Sequence, residues 1–445
     1  MNEEQLQVEN AQLKKRIDEL EKQLAEKDKE IATLKGQFTK DIKEIKKAVR
    51  TPDWIREERL RRHREAHQKR QEDEKKRKGA SRPKPDHVDK TTAATISRCP
   101  DCSGKLSKTV EVRDRYVEDI QPVRSKVTKY RIHRKYCKTC RKIVEPKITG
   151  AFPNFRFGLA LCLYIVALKI GLSMPIRRIR EILRLTYQIH ISSSEIQNII
   201  DKVAEEFAPE YEKMAKALKK MKRIYADETS WYINGKLVWL WIFINETIAF
   251  YHIQNSRGKK VPAKILRGFR GTLISDFYSA YTQGRISQKC LVHLLRDIFN
   301  WKKVKYFGDP ELKHFALRLK KIILEAIYTE GKSRETRSCF EKKLRRLLGK
   351  NWKDGEVKRM KRRLEKHFDS IFTFLEYDVE FSNNRAERGL RPCVVARKIS
   401  YGSRSKTGAL HYATLKSIVE TCKLNEQDFV GYAKEYLFER ITSES

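Results

Sequence analysis

Asn234-Gly235 separates two β-rich runs, and that dipeptide leaves little choice of local structure. Both residues tolerate the positive φ of a type I′ turn, whose twist matches that of the strands it joins. Ile224 to Ala226 and Trp231 to Ile233 lie on one side, and Leu237 to Ile244 on the other. The stretch 223–244 therefore predicts the heart of a sheet: a short strand ending in a carboxylate, then a hairpin, with a single bent strand across some of these pieces left open as the alternative. Asp227 is expected near the end of a central strand, where a sheet holds a side chain rigidly. Thr272 to Ser275 is a second short apolar strand, and it ends in Asp276. Glu387 stands among Arg385, Arg388 and Arg391. Taken singly, an Asp closing a strand is a turn former, and Glu387 is an ion-pair partner for Arg385 or Arg391. Taken together, three carboxylates from three separated segments are what two divalent ions need for phosphoryl transfer on nucleic acid. Oxygen ligands suit magnesium or manganese.

The rest of the composition fits a polyanionic partner. Lys and Arg total 97 against 58 acids, a net charge of +39 over 445 residues. The excess is not confined to a tail, because 177–184 and 385–404 are also basic. Double-stranded DNA is the expected partner. Arg385, Arg388, Arg391, Arg397 and Lys398 are candidates for phosphate contacts near the scissile bond, with a solvated basic face as the plainer alternative. The longest apolar run, Leu159 to Leu168, is too short to span a bilayer, and the N-terminus has no apolar signal-peptide core. No membrane association is expected.

Six units follow in order. Residues 1–48 carry a heptad pattern, with Leu6, Leu13, Leu20 and Leu34 on one seam and Ile17, Leu24, Ile31, Phe38 and Ile45 on the other. A helix this polar needs a partner, so it is expected to self-associate as a coiled coil. Residues 49–95 form a basic linker or arm. Residues 96–150 hold Cys99-Pro-Asp-Cys102 and Cys137-Lys-Thr-Cys140. Four thiolates complete a closed tetrahedral zinc site, structural rather than catalytic. Val110 to Val112 and Tyr130 to His133 are the strands expected of a zinc ribbon, with His133 an alternative fourth ligand. Residues 151–220 are helical, with Pro175 opening one helix and Ser192 to Glu195 forming a capping box. They suit either a helix-turn-helix-like DNA contact or a spacer under the catalytic domain. Residues 221–404 hold the acids, with a helical insertion at about 301–380, and 405–445 return to amphipathic helix. Glu228 is expected to face away from Asp227 along a strand. Trp231, Trp239 and Trp241 are expected in the core rather than stacked on bases.

A resemblance enters at this point. Ala226-Asp-Glu-Thr229, Ser275-Asp-Phe-Tyr-Ser-Ala-Tyr281, Cys290-Leu-Val-His-Leu-Leu-Arg296, Asn383-Asn-Arg-Ala-Glu-Arg388 and Arg397 to Ser403 are similar to the DDE transposases of the insertion-sequence-66 family. The likeness implies a multidomain α/β chain with an RNase H-like, retroviral-integrase-like catalytic domain and a helical insertion. It implies catalysis by Asp227, Asp276 and Glu387 with two magnesium or manganese ions, on element terminal inverted repeats and target DNA. It also implies an N-terminal coiled coil, a zinc-finger segment and a homo-oligomer, with accessory proteins left open. The setting would be the chromosome of a prokaryotic cytoplasm. Cys290 and His293 match the family's C/DxxH element; His293 is read as a DNA or active-site neighbour, since only two ligands are visible there. A catalytically silent DNA-binding relative and a nuclease that cuts without joining both remain open.

Overall fold

The computed structural model describes residues 84–109, 111–119, 125–148, 150–153, 155–281, 286–304 and 309–443, with Glu19, Glu26 and Lys27 as isolated helical positions. The expected coiled coil and most of the basic arm lie outside the described residues. The chain divides into two units, residues 50–124 and residues 1–49 with 125–445.

In the smaller unit, Cys99 and Cys102 form a tight turn. The Cys99 amide donates to Gly104 O at 2.9 Å and the Ser103 amide to Cys99 O at 2.9 Å. In the larger unit, β1 (Lys135–Cys137) and β2 (Lys142–Val144) form a short antiparallel hairpin around the second cysteine pair. The strands expected at Val110 to Val112 and Tyr130 to His133 do not form at the residues described there. Among the described residues from 84 to 148, regular strands are confined to this hairpin, and apolar side chains such as Val112, Val117, Val127 and Ile132 stay exposed with no core to enter.

Helices precede the main sheet. α1 (Leu159–Val166) runs into one π-helical turn, then α2 (Ile176–Tyr187), α3 (Ser193–Glu206) and α4 (Ala208–Leu218) follow. Pro175 stands at the N-cap of α2 in extended conformation, and Gln188 ends that helix at φ 57°. The Ser192 capping box opens α3, with Ser192 Oγ accepting from the Glu195 amide and Glu195 returning a carboxylate to the Ser192 amide.

The sheet comprises β3 (Arg223–Ile233), β4 (Lys236–Ile244), β5 (Ala249–Gln254), β6 (Thr272–Ser275) and β7 (Ser287–Lys289), in the order β5-β4-β3-β6-β7. A short helix, α5 (Lys260–Ile265), connects β5 to β6. The first three strands form an antiparallel meander, and β6 and β7 add parallel to β3. Asn234 and Gly235 join β3 to β4 at φ 47° and 74°, the left-handed pair of a type I′ turn. β3 is one continuous strand, so Asp227 lies inside it, opposite Ile242, and not at its end. β4 supplies partners from Tyr225 to Ile233, whereas β6 pairs only with Arg223 to Tyr225.

Beyond the sheet come α6 (Leu291–Val304), α7 (Pro310–Tyr328), α8 (Arg334–Leu348), α9 (Gly355–Lys366), α10 (Asn384–Ser400), α11 (Lys406–Leu424) and α12 (Phe429–Ser443). Strand alternation sends side chains to two separate cores. Ile224, Ala226, Trp241, Phe243 and Leu273 join α1 to α4, α11 and α12 on one face. Tyr225, Trp231, Ile242 and Ile274 join α6 to α10 on the other. Trp239 stays half-buried, under the guanidinium of Arg257 at 4.5 Å.

α11 departs from the amphipathic pattern expected of it. Leu415, Lys416, Ser417, Ile418 and Val419 are all buried. The reason lies in the sheet edge. β5 has no further strand beside it, and α11 covers it: Ser417 Oγ accepts from the Tyr251 amide at 2.9 Å and Thr421 Oγ1 from the Ala249 amide at 3.0 Å. Lys416 is buried with its charge matched by Glu420 at 2.7 Å. No described helix is long and apolar enough to cross a membrane.

Candidate active site

The strand register places two acids together. Tyr225 lies beside Ile274 in the parallel pair. Asp227 and Asp276 each lie two residues further along, so both point to the same face, just beyond where the paired segment ends. That face is covered by α10, whose first turn carries Glu387. The approach is close. A side chain at Gly389 would meet Ile242 Cδ1 at 2.4 Å, and Gly389 O accepts from the Tyr251 hydroxyl at 2.8 Å. Glycine two residues after Glu387 therefore lets the helix sit directly on β4 opposite Asp227.

Asn383 ties these pieces together. Its Nδ2 donates to Ala226 O at 2.9 Å, its amide to Cys290 Sγ at 3.2 Å, and its carbonyl accepts from the Glu387 amide at 3.2 Å. The strand bearing Asp227, the residue before α6 and the helix bearing Glu387 thus meet at one fully buried residue, through its side chain, its backbone amide and its carbonyl respectively. Asn383 stands at the N-cap of α10 without a side-chain capping bond; its Nδ2 donates to β3 instead.

The electrostatics show how tightly the acids are held. Burial first, then the neighbouring charges of Glu228, Asp276 and Glu387, push the Asp227 carboxyl up to about 8, against a bond from the Glu228 amide that lowers it. Asp276 Oδ1 accepts from the Tyr278 amide at 2.9 Å. Lys289, almost wholly buried, donates to Ser275 Oγ at 2.9 Å. Burial brings its amine down to about 8, although Asp276 works in the opposite direction. Glu228 leaves by the other face of β3. There Arg257 grips its Oε1 at 2.8 Å and 2.9 Å, and the Tyr281 hydroxyl donates to its Oε2 at 2.5 Å.

His293 Nε2 lies 3.6 Å from Glu387 Oε1. Ligand atoms of Cys290, His293 and Glu387 all fall within 4.8 Å of one another, so the pair visible in sequence gains a third member only in the fold. Glu387 Oε1, Asn383 Oδ1 and His293 Nδ1 are buried and lack hydrogen-bond partners. Glu387 Oε1 is a buried carboxylate oxygen without a hydrogen-bond partner, and Asp227 and Asp276 add carboxylate oxygens on the same face, a donor set that suits magnesium or manganese.

The expected DNA contacts divide. Arg388, Arg391 and Lys398 are exposed along α10. Arg385 is half-buried, 3.7 Å from Glu380 and 3.9 Å from Glu246, with its guanidinium over Tyr225 at 5.4 Å. Arg397 donates to Ser230 O at 2.5 Å and also reaches Ser230 Oγ, bracing β3. Lys289 and Asn383 were not singled out from sequence. The only cue for Lys289 was a lysine following a short β-rich run, and for Asn383 a capping residue before Glu387.

In the cysteine knuckles, the Cys102 amide foremost holds the Cys99 thiol below its ordinary range, and the Cys140 amide does the same for Cys137. The Cys140 amide lies 3.4 Å from Cys137 Sγ. Amides aimed at sulfur favour thiolate, the form that binds zinc.

Fold and sequence together define a multidomain α/β protein with a mixed five-stranded sheet between helical layers and paired cysteine knuckles upstream. Comparison with known families agrees: residues 155–411 match the transposase IS66 family and residues 97–141 the zinc-finger binding domain of transposase IS66. The chain belongs to the IS66 transposase family, and the zinc-finger match supports structural zinc. Similar curated proteins come from Sinorhizobium fredii (strain NBRC 101917 / NGR234). Uncharacterized protein y4qI is 24% identical over 62% of this chain, and the match spans 58% of y4qI. Uncharacterized protein y4hP is 23% identical over 78% of this chain and 71% of its own length. Uncharacterized protein y4jD is 24% identical over 78% of this chain and 75% of its own.

Proposed function

We propose that this chain is a DDE transposase that cuts DNA at the ends of its element and joins the freed 3′-hydroxyls to target DNA. One observation supports the reading most: Asp227 and Asp276 each lie two residues past the Tyr225–Ile274 pair, on the face covered by the helix whose first turn carries Glu387. Burial first, then the charges of Glu228, Asp276 and Glu387, push the Asp227 carboxyl up to about 8, a cost that a bound cation would relieve. The sheet order, an antiparallel meander extended by two parallel strands, supports an RNase H-like core.

Asp227, Asp276 and Glu387 would hold two magnesium or manganese ions. When bound, such ions supply Lewis-acid polarisation of the phosphate and a lowered pKa for the attacking hydroxyl. The chain's own contribution is positioning. Asn383 sets Glu387 against Asp227, and Lys289 balances charge beside Asp276. Arg388, Arg391 and Lys398 would hold phosphates flanking the scissile bond, fixing register without reading sequence. His293 would stand beside the same DNA. Cys99, Cys102, Cys137 and Cys140 would hold one structural zinc, and the N-terminal heptads would pair protomers so that two element ends are processed together.

The test is a magnesium-dependent cleavage and strand-transfer assay on DNA carrying the element's ends. Joined products from the wild type and none from Asp227→Asn are expected. Cleavage without joining would make the protein a nuclease instead. Binding with neither reaction would make it a silent DNA-binding relative. Undiminished activity of Asp227→Asn would remove the site.

A further inference from the structure

A second basic feature lies on the helices before the sheet, apart from the acids. α2 buries Ile179 and Leu183 and turns Arg177, Arg180 and Arg184 to solvent. Those three sit at i, i+3 and i+7, one stripe along one side of the helix. With Glu181, Ile189, His190 and Ser192 they line a groove of about 620 Å³ where α2 meets the start of α3. Among the described residues, none of the three arginines has an acid within ion-pair distance. Ser192 closes the groove as the N-cap of α3, where the Glu195 carboxylate already accepts from the Ser192 amide, so the arginines supply the positive field. Glu181 is the one acid in the lining.

We infer that this groove is a clamp for the sugar–phosphate backbone of duplex DNA, separate from the phosphate contacts beside the acids. The spacing supports that ligand. From Arg177 to Arg184 the helix rises about 10 Å, the axial distance occupied by about three phosphates of one strand. Guanidinium forks match phosphate oxygens bidentately, and uncommitted arginines lose no protein partner on binding. An acidic peptide would also find the charge, but not a partner repeating at this interval. No base edge is needed, so the clamp adds affinity and orientation, not sequence preference. The partner is taken from the proposed function, and the experiment keeps the two ideas apart.

Full-length chain is titrated with an element-end duplex and a scrambled duplex across a salt series, as wild type, as Arg177→Gln/Arg180→Gln/Arg184→Gln, and as Glu181→Gln. Each phosphate contact contributes about 0.9 to the slope of log affinity against log salt, so the triple variant should lose about 2 to 3 from that slope on both duplexes. Glu181→Gln should bind both more tightly, which keeps the idea testable if the triple variant does not fold. Folded triple variant with an unchanged slope, or a loss on the element end alone, would overturn the clamp. Unchanged affinity of Glu181→Gln would also count against it. Wild type that binds no duplex at all would instead defeat the transposase reading.

Discussion

Asp227 illustrates what one residue can disclose. An isolated aspartate titrates near 4, and here burial and three neighbouring acids raise the carboxyl to about 8. The folded metal-free chain therefore keeps a proton between those pH values that the unfolded chain releases. The sign follows by linkage: this group does not oppose folding below about pH 4, and its penalty grows between about pH 4 and 8 and is complete above that. Asp227→Asn should therefore stabilise the metal-free protein, by about 2 kcal/mol at pH 8.5 and little at pH 4, the value being discounted because the residue is only half-buried by surface area. Thermal melts in chelator across that range would check this, and an equal effect at both ends would refute it. Asp227, Asp276 and Glu387 could be picked from the sequence because each is a carboxylate in a distinctive local setting. Asn383 and Lys289 could not. Their meaning lies in what they touch across the fold, Ala226 and Cys290 for one and Ser275 for the other.

At the level of elements, local rules served well where the signal is local. The Asn234-Gly235 turn, the Pro175 helix start and the Ser192 capping box each depend on a few adjacent residues. Strand length was harder. Asp227 to Ser230 are polar and read as a break between two strands, yet β4 pairs across all of them and carries β3 through. α10 owes its seat to Gly389. Gly389→Val should push the helix off Ile242, costing about 1–3 kcal/mol by overpacking and moving Glu387 with it. A melt together with magnesium titration would show both losses. A variant that binds magnesium as wild type does would show that Glu387 is held by other contacts. α11 gives the complementary case: its serine and threonine read as a polar face, but they satisfy the exposed edge of β5.

At the level of the whole molecule, function depends on segments with little core of their own. The cysteine segment is mostly exposed, so metal must supply its folding energy. Cys102→Ser is expected to lower zinc content and weaken DNA binding, while leaving the melt of the helical and sheet region unchanged. Unaltered zinc content by atomic absorption would rule Cys102 out as a ligand. The sequence by itself determined the positive charge, the hairpin, the paired cysteines and the family's motifs, because composition, spacing and turn chemistry act over short distances. Only the tertiary structure decided which carboxylates face the same side of the sheet, which partners Glu228 takes, and what covers β5. Those outcomes depend on strand register and helix seating, which bring together residues from 29 to 166 positions apart.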